Sequence, residues 1–184
     1  MENPYQWETL AINEVDADGR LSAVVLFPPE DRAAASDELF ERYAALGADG
    51  APPALLELFR AWNAHDLARV RALLPDDFYL DDHRRTGVGR LDGADAYATS
   101  LAAMWELSRD LRTDALYTVA GAPHGRLYVA RWSGTNAEGG EFDAVYVCVG
   151  LASGDRPRGL EIFELDDLDA ARARFAELGE RHGA

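Results

Sequence analysis

Apolar residues follow a helical spacing over residues 54–74 and predict two helices. One face of the first helix would consist of Leu55, Leu58, Phe59 and Trp62. The inward side of the second would consist of Leu67, Val70 and Leu74, and Asp66 precedes it as an N-cap. A third helix is predicted for the stretch ADAYATSLAAMWELSR, where Tyr97, Leu101, Met104 and Trp105 would share one face. The chain therefore carries three amphipathic helices before residue 110.

The other apolar segments have the composition and spacing of strands. A short run, FYLDD, separates the second and third helices, and four longer runs occupy residues 111–165, joined by turns that contain glycine. A closing helix is predicted from Asp166 to about Gly179. This order predicts an α+β fold in which the helices gather on one side of a curved antiparallel sheet. Such a sheet encloses a cone-shaped cavity.

The beginning of the chain resembles its own end. Residues 5–43 align without gaps on a segment that starts at residue 141, with Phe27 on Phe163 and Asp31 on Asp167. This repeat predicts an N-terminal extension of strand, strand and helix over residues 1–46, a linker at 47–53 and a main domain at 54–184. Two strands and a helix bury little apolar surface. The extension would pack on its own domain, exchange with a partner chain or belong to a longer parent protein.

Composition excludes several classes of function. A net charge of -15 disfavours binding to nucleic acid and to anionic membranes, and no apolar run is long enough to span a bilayer. The N-terminus lacks the pattern of a secretory signal, which predicts a cytoplasmic protein. All 18 positive residues are arginine, so no lysine is present to form a Schiff base. The single cysteine, Cys148, lies in a strand-like run, and no zinc-ligand spacing occurs, so no metal site is predicted.

The candidate chemistry lies in YLDDHRRTG, residues 79–87, where five ionisable side chains follow one another at the end of a strand. Strand alternation divides them between two faces, with Asp82 and Arg84 on one and Asp81, His83 and Arg85 on the other. Only one of these sets can face the cavity. The charges could also pair with each other on the surface, where such pairs contribute little to stability.

The order of elements, together with LLELFRAWNAHDLARVRALLPDDFYLDD and GRLDGADAYATSL, resembles the nuclear transport factor 2-like superfamily. The likeness is to its SnoaL-like branch of polyketide cyclases and ketosteroid isomerase relatives, and it covers about residues 53–180. The stretch DDHRR is also similar to SnoaL-like regions at the C-terminal end of large actinobacterial regulatory proteins. The family fold implied is the cone-shaped one described above, and a homodimer through the open face of the sheet is implied with it.

The resemblance implies roles for the charged cluster. Asp82 matches the position of the general base, His83 would be its proton partner, and Arg84 would stabilise an anionic oxygen. A carboxylate facing an apolar cone is expected to have its pKa raised by desolvation, which suits proton abstraction. The tyrosine that the isomerases carry in the first helix has no counterpart here. The other candidate substrate contacts are Asp81 and the aromatic residues Trp62, Tyr97, Trp105, Tyr128, Trp132 and Tyr146.

Two functions fit these features. The first is an acid–base enzyme without a cofactor, of cyclase, isomerase, hydrolase or lyase type, which acts on a small hydrophobic molecule such as a polyketide or terpenoid intermediate. The second is a ligand-binding or dimerisation module of a regulatory protein, with no chemistry of its own. The same scaffold hosts both kinds of function, so fold alone does not choose between them.

Overall fold

The computed structural model describes residues 8–45, 53–154 and 156–182. The chain divides into two compact units, Met1–Asp49 and Gly50–Ala184. The predicted linker at 47–53 lies outside the described residues except for its last position. Residues 1–7, at the N-terminus, also lie outside them. Among the described residues, no helix is both long and apolar enough to cross a membrane.

The first unit is a hairpin with a helix. Strands β1 (Leu10–Val15) and β2 (Leu21–Phe27) pair antiparallel, and helix α1 spans Arg32–Ala45. The Asp16 carboxylate closes the turn by accepting hydrogen bonds from the backbone N–H groups of Asp18 and Arg20, and Gly19 supplies the positive φ of 76°. Apolar side chains of the hairpin remain exposed on one face, namely Val15, Leu21, Val24 and Leu26.

Over residues 53–154 and 156–182, the second unit contains four α-helices and a six-stranded sheet. Its elements are α2 (Pro53–Asn63), α3 (Leu67–Leu73), β3 (Tyr79–Asp82), β4 (Gly89–Asp92), α4 (Ala94–Leu107), β5 (Arg112–Ala122), β6 (Gly125–Thr135), β7 (Glu141–Ser153), β8 (Arg156–Glu164) and α5 (Leu168–His182). The strand order is β4-β3-β8-β7-β6-β5. All neighbours pair antiparallel except β3 and β8, which run parallel. The predicted α+β fold with a curved, mainly antiparallel sheet is confirmed.

Helices α2, α3 and α4 cover one face of this sheet. Their apolar residues form a core with the side chains that β3, β6, β7 and β8 direct to the same side, among them Leu80, Ala130, Cys148 and Ile162. Asp66 caps α3 as predicted, since its carboxylate accepts the backbone N–H of Arg69 at 2.9 Å. This helical layer and the concave sheet enclose the cavities described below.

The closing helix α5 packs on the opposite face, which corrects the prediction that all helices gather on one side. Most of the alternate residues of β6, β7 and β8 that point away from the cone are also apolar, and they form a second core with Ala171, Phe175 and Leu178 of α5. The homodimer implied by the resemblance stays a prediction. Any dimer through this face would have to accommodate α5.

Strand β4 is not predicted from the sequence, because its four residues, GRLD, are too short a run to show the alternation of a strand. It pairs antiparallel with β3, and Asp82 lies opposite Gly89. On its other side, β3 pairs with β8, and Asp82 lies opposite Ile162. The charged stretch is therefore not a free strand end, because neighbours on both sides fix which way each side chain points.

Candidate functional site

Strand β3 directs its acidic residues to opposite faces of the sheet. Asp82 points into the cone with Leu80, and its side chain is only 1% exposed. Asp81 points away from the cone, where its carboxylate accepts a hydrogen bond from Arg90 at 3.2 Å. His83 also lies on the outer side, stacked on Phe163 with ring centroids 4.4 Å apart. Asp82 and His83 thus do not share a cavity.

Asp82 and Arg84 form a closed, two-pronged ion pair. The Nε and Nη2 atoms of Arg84 donate to the two carboxylate oxygens of Asp82, each at 2.7 Å. The Arg84 side chain is 11% exposed and lies over the ring of Tyr146, with Cζ 4.1 Å from the ring centroid, and 5.0 Å from that of Trp132. Two flat aromatic faces therefore flank a desolvated guanidinium group.

The turn after β3 holds the Asp82 carboxylate. The backbone N–H groups of Arg84 and Val88 donate to it at 3.3 and 3.2 Å. Gly87 lies against the same group, because a Cβ atom at this position would come within 2.4 Å of the carboxylate carbon. The glycine lets the turn close over Asp82, so the carboxylate is enclosed by backbone as well as by Arg84.

The pKa of Asp82 is shifted in the direction opposite to that expected from the sequence. Burial raises it, but the hydrogen bonds and charge of Arg84, together with the backbone donors, outweigh burial and hold the pKa below its usual value. The prediction of a raised pKa was wrong because it included the apolar cavity and omitted the paired guanidinium. At neutral pH the group is an ionised carboxylate with reduced basicity.

Two cavities adjoin the predicted site residues, and the larger of these two lies between α2 and the concave face of the sheet. It is partly open to solvent, and the empty space within it and at its mouth amounts to about 630 Å³. Its wall is almost entirely apolar and aromatic, and includes Leu55, Leu58, Phe59, Trp62, Phe78, Tyr97, Tyr128, Trp132, Cys148, Gly150, Pro157 and Leu160. A wall of this composition suits a small ring-containing molecule.

A smaller cavity, with about 380 Å³ of empty space including its open mouth, adjoins it on the side of β3. Asp82, Arg84 and Ser100 supply its polar groups, and Leu101, Met104 and Ile162 are among its apolar ones. The two cavities have four wall residues in common, which are Trp62, Tyr97, Trp132 and Leu160. Rings in this shared wall lie close together, with the centroids of Trp62 and Trp132 6.0 Å apart.

The polar atoms of the larger cavity are neutral at physiological pH. Burial raises the pKa of Tyr97 to about 12, and it raises the pKa of the Cys148 thiol to about 12 as well. The pKa of Tyr128 is also raised well above its usual value by burial. These groups can donate hydrogen bonds to a ligand, and Cys148 is not activated as a nucleophile.

A second ionised cluster lies on the outer face of the sheet. Glu161 is fully buried, and its carboxylate accepts hydrogen bonds from Arg174 on α5, the Tyr79 hydroxyl at 3.0 Å and the His83 ring at 3.1 Å. Burial raises the pKa of Glu161, but Arg174 foremost and then His83 and Tyr79 lower it below its usual value overall. This cluster joins α5 to β3 and β8.

Among the described residues, the side chains grouped closely enough to serve as metal ligands are in this cluster. One ligand atom each from Asp81, His83 and Glu161 lie within 4.8 Å of one another. Both carboxylates are already neutralised, since Arg174 binds Glu161 and Arg90 binds Asp81. A divalent ion would therefore have to displace two guanidinium groups, and these residues fit a metal poorly.

Residues 55–167 match the SnoaL-like domain, more than half of the chain. The chain belongs to the SnoaL-like domain family. This confirms the family resemblance found in the sequence, and the match falls within the second unit. No curated protein matches the sequence. Solved structures with the nuclear transport factor 2-like fold do match, at low sequence identity.

Three of these structures come from different bacteria and have TM-scores between 0.51 and 0.54. A protein from Catenulispora acidiphila with a ketosteroid isomerase-like fold, in complex with trimethylamine, is 14% identical at a TM-score of 0.53, over 65% of this chain and 92% of that one. RV0760c from Mycobacterium tuberculosis, in complex with estradiol-17beta-hemisuccinate, is 18% identical at 0.54, over 63% and 95%. A putative SnoaL-like polyketide cyclase from a Jannaschia species is 17% identical at 0.51, over 64% and 88%. At these identities the likeness establishes the fold.

The SnoaL-like unit brings most of the predicted site residues together. Asp82, Arg84, Trp62, Tyr97, Tyr128 and Trp132 line the two cavities, and Tyr146 contacts Arg84. Asp81 and His83 lie on the outer face. Trp105 packs behind the wall, edge-on to Trp62 and stacked on His65. The sequence reasoning missed Gly150, although a lone glycine within a strand-like run is a signal for a site where another group approaches closely.

Proposed function

We propose that the SnoaL-like unit binds a small, largely apolar and planar molecule in the cavity between α2 and the sheet. The aromatic and aliphatic wall of the larger cavity is the observation that carries this proposal. The adjoining ion pair provides a polar end for the same molecule. The ligands named for the similar structures, trimethylamine and estradiol-17beta-hemisuccinate, support small-molecule binding by this fold.

Replacing Gly150 by leucine tests the location of this binding. A Cβ at Gly150 would lie 3.4 Å from Tyr128, an ordinary contact, and the remaining atoms of leucine would extend into the larger cavity. The neutral fluorescent probe N-phenyl-1-naphthylamine is expected to bind the natural protein, and the Gly150→Leu variant at least about 100-fold more weakly, since the space for its rings is filled. A fluorescence titration measures both affinities.

Two further variants control for side effects of the substitution. Gly150→Ala adds only the tolerated Cβ and should bind the probe within a factor of three of the natural protein. Gly121→Leu adds the same leucine to β5, where a Cβ would meet no atom within 4 Å, and should leave binding unchanged. Equal affinity of the Gly150→Leu variant and the natural protein would place the ligand elsewhere.

An acid–base enzyme is the second candidate function, and the position of Asp82 favours it. This carboxylate is in the wall of the smaller cavity, next to the apolar space, where it could remove a proton from a carbon acid once Arg84 is drawn towards a developing oxyanion. The closed ion pair favours simple binding instead, because it lowers the pKa of Asp82 and occupies its oxygens. His83 could take part in either function only from the outer face.

Exchange of a carbon-bound proton distinguishes the two candidates. The planar ketone 2-tetralone has acidic protons next to its carbonyl, and its deuterium exchange can be followed by NMR. An enzyme of this type should accelerate exchange, and Asp82→Asn should reduce the acceleration by about 100-fold or more while 2-tetralone still binds. Binding of 2-tetralone without acceleration would leave the ligand-binding function and remove the enzymatic one for this class of reaction.

A further inference from the structure

We infer that the ligand of this cavity carries an anionic oxygen group, such as a carboxylate, enolate or phenolate, next to its apolar rings, and that Arg84 selects it. This inference rests on the proposed function, because it concerns the polar end of the same cavity. It assigns the contact with the ligand to the guanidinium group, and it makes Asp82 the group that holds Arg84 in place.

Asp82 has no room for a ligand in the structure as it stands. Its two oxygens accept four N–H groups, two from the Arg84 side chain and one each from the backbones of Arg84 and Val88. The side chain is 1% exposed, and Gly87 closes the turn over it. A ligand that enters the smaller cavity therefore meets the guanidinium group before it meets the carboxylate.

Arg84 is placed to hold an oxygen anion. A guanidinium group offers five N–H donors. Two of them point at the Asp82 oxygens and another interacts with the Tyr146 side chain, which leaves donors for a further acceptor. The Tyr146 and Trp132 rings lie against the guanidinium group and restrain it, which lowers the cost of ordering this side chain around a second acceptor. Among the described residues that line the two cavities, Arg84 carries the only positive charge.

The arrangement of the two cavities gives the ligand its shape. Rings would occupy the larger, apolar cavity, and the oxygen group would extend past Trp62 and Trp132 into the smaller one. Inside this water-poor space a charge-assisted hydrogen bond to Arg84 is stronger than a neutral one. The site should therefore prefer an anion over a neutral molecule of the same shape.

The pair 2-naphthoate and 2-naphthamide tests this preference. Both have the same ring system and a planar head group of similar size, and only the first is charged at pH 7. Displacement of N-phenyl-1-naphthylamine by each compound gives the two affinities. The natural protein is expected to bind 2-naphthoate at least tenfold more tightly than 2-naphthamide. Equal affinities for the two compounds would overturn the inference.

Variants assign the preference to a residue. The double variant Asp82→Asn/Arg84→Met removes both charges of the buried pair, so no unpaired charge is left to unfold the protein. It should lose the preference, so that its affinities for 2-naphthoate and 2-naphthamide become equal within about a factor of two. Arg85→Met removes an exposed arginine from the same turn and should retain the full preference. A double variant that still prefers 2-naphthoate would show that Arg84 is not the selecting residue.

Ligand binding by the cavity and selection of an anion by Arg84 are tested by different results. If neither naphthalene compound displaces the fluorescent probe, and Gly150→Leu does not weaken the probe, the proposed binding function itself is wrong. If the probe and 2-naphthamide bind the natural protein and the Gly150→Leu variant binds neither of them, the cavity is the ligand-binding site. The ratio of the two naphthalene affinities then decides the role of Arg84.

Discussion

The Arg84→Met variant is expected to be less stable than the natural protein by about 3–5 kcal/mol at pH 7, because it leaves the buried Asp82 carboxylate without its partner. Methionine keeps much of the apolar stem that packs near Tyr146, so the loss is mainly electrostatic. Urea unfolding followed by circular dichroism measures the difference. Arg85→Met is the matched control, and it should change stability by less than about 0.5 kcal/mol.

The effect of pH checks the cause of this loss. In the natural protein the pKa of Asp82 is lowered, so its ion pair stabilises the fold above the pKa of an unfolded aspartate, and this contribution is lost as the pH falls through the lowered value. In Arg84→Met the guanidinium is gone, and burial, opposed only by the backbone N–H donors of residues 84 and 88, is expected to raise the pKa of Asp82. The difference in stability between the two proteins should therefore become much smaller below about pH 4, where the Asp82 carboxyl group of the variant is neutral. A difference that is constant from pH 4 to 8 would contradict the ion-pair explanation.

The Arg174→Met variant is expected to be destabilised by about 3 kcal/mol at pH 7. Glu161 is fully buried and would lose its charged partner. The expected loss is at the lower end of the range for a broken buried pair, because the Tyr79 and His83 hydrogen bonds to Glu161 remain and Arg174 is partly exposed. Because Glu161 also has a lowered pKa, the natural pair stabilises the fold above the usual pKa of a glutamate and less in acid.

Two comparisons make this second prediction specific. Arg172→Met changes an exposed arginine of the same helix and should be nearly neutral in stability. The double variant Glu161→Leu/Arg174→Met removes both charges and should regain much of the stability lost by Arg174→Met. If the double variant is as unstable as the single one, packing of Arg174 rather than its charge holds α5 on the sheet.

The fold was predictable from the sequence because its signals are local and repeated. The spacing of Leu58 and Trp62 defines a helix, and the long strand-like runs after residue 111 define most of the sheet. Strand β4 and the outward packing of α5 were not predictable in the same way. GRLD becomes a strand only by pairing with β3, and which face α5 covers depends on side chains distributed over three different strands.

The site was predictable in part for the same reason. Alternation along β3 is local, and it separates Asp82 and Arg84 from Asp81 and His83, although it does not say which pair faces the cavity. The partners of these groups are distant in sequence. Glu161 lies in β8 and contacts His83 because β8 pairs with β3. Arg174 lies in α5 and binds the same Glu161 carboxylate. The ionisation of Asp82 likewise depends on the turn formed by Gly87 and Val88, which folds back on the carboxylate.

The repeated hairpin and helix carry two different ways of attaching a helix to a pair of strands. The offset that aligns Phe27 with Phe163 places Val25 at the position of Glu161 and Glu38 at that of Arg174. The first unit instead joins its helix to its hairpin through Arg42 and Glu14, at 2.8 Å and about 30% exposed. A buried carboxylate is thus not required to build this motif. Exchanging residues between the two copies would separate the contribution of the Glu161–Arg174 ion pair to stability from that of the backbone arrangement.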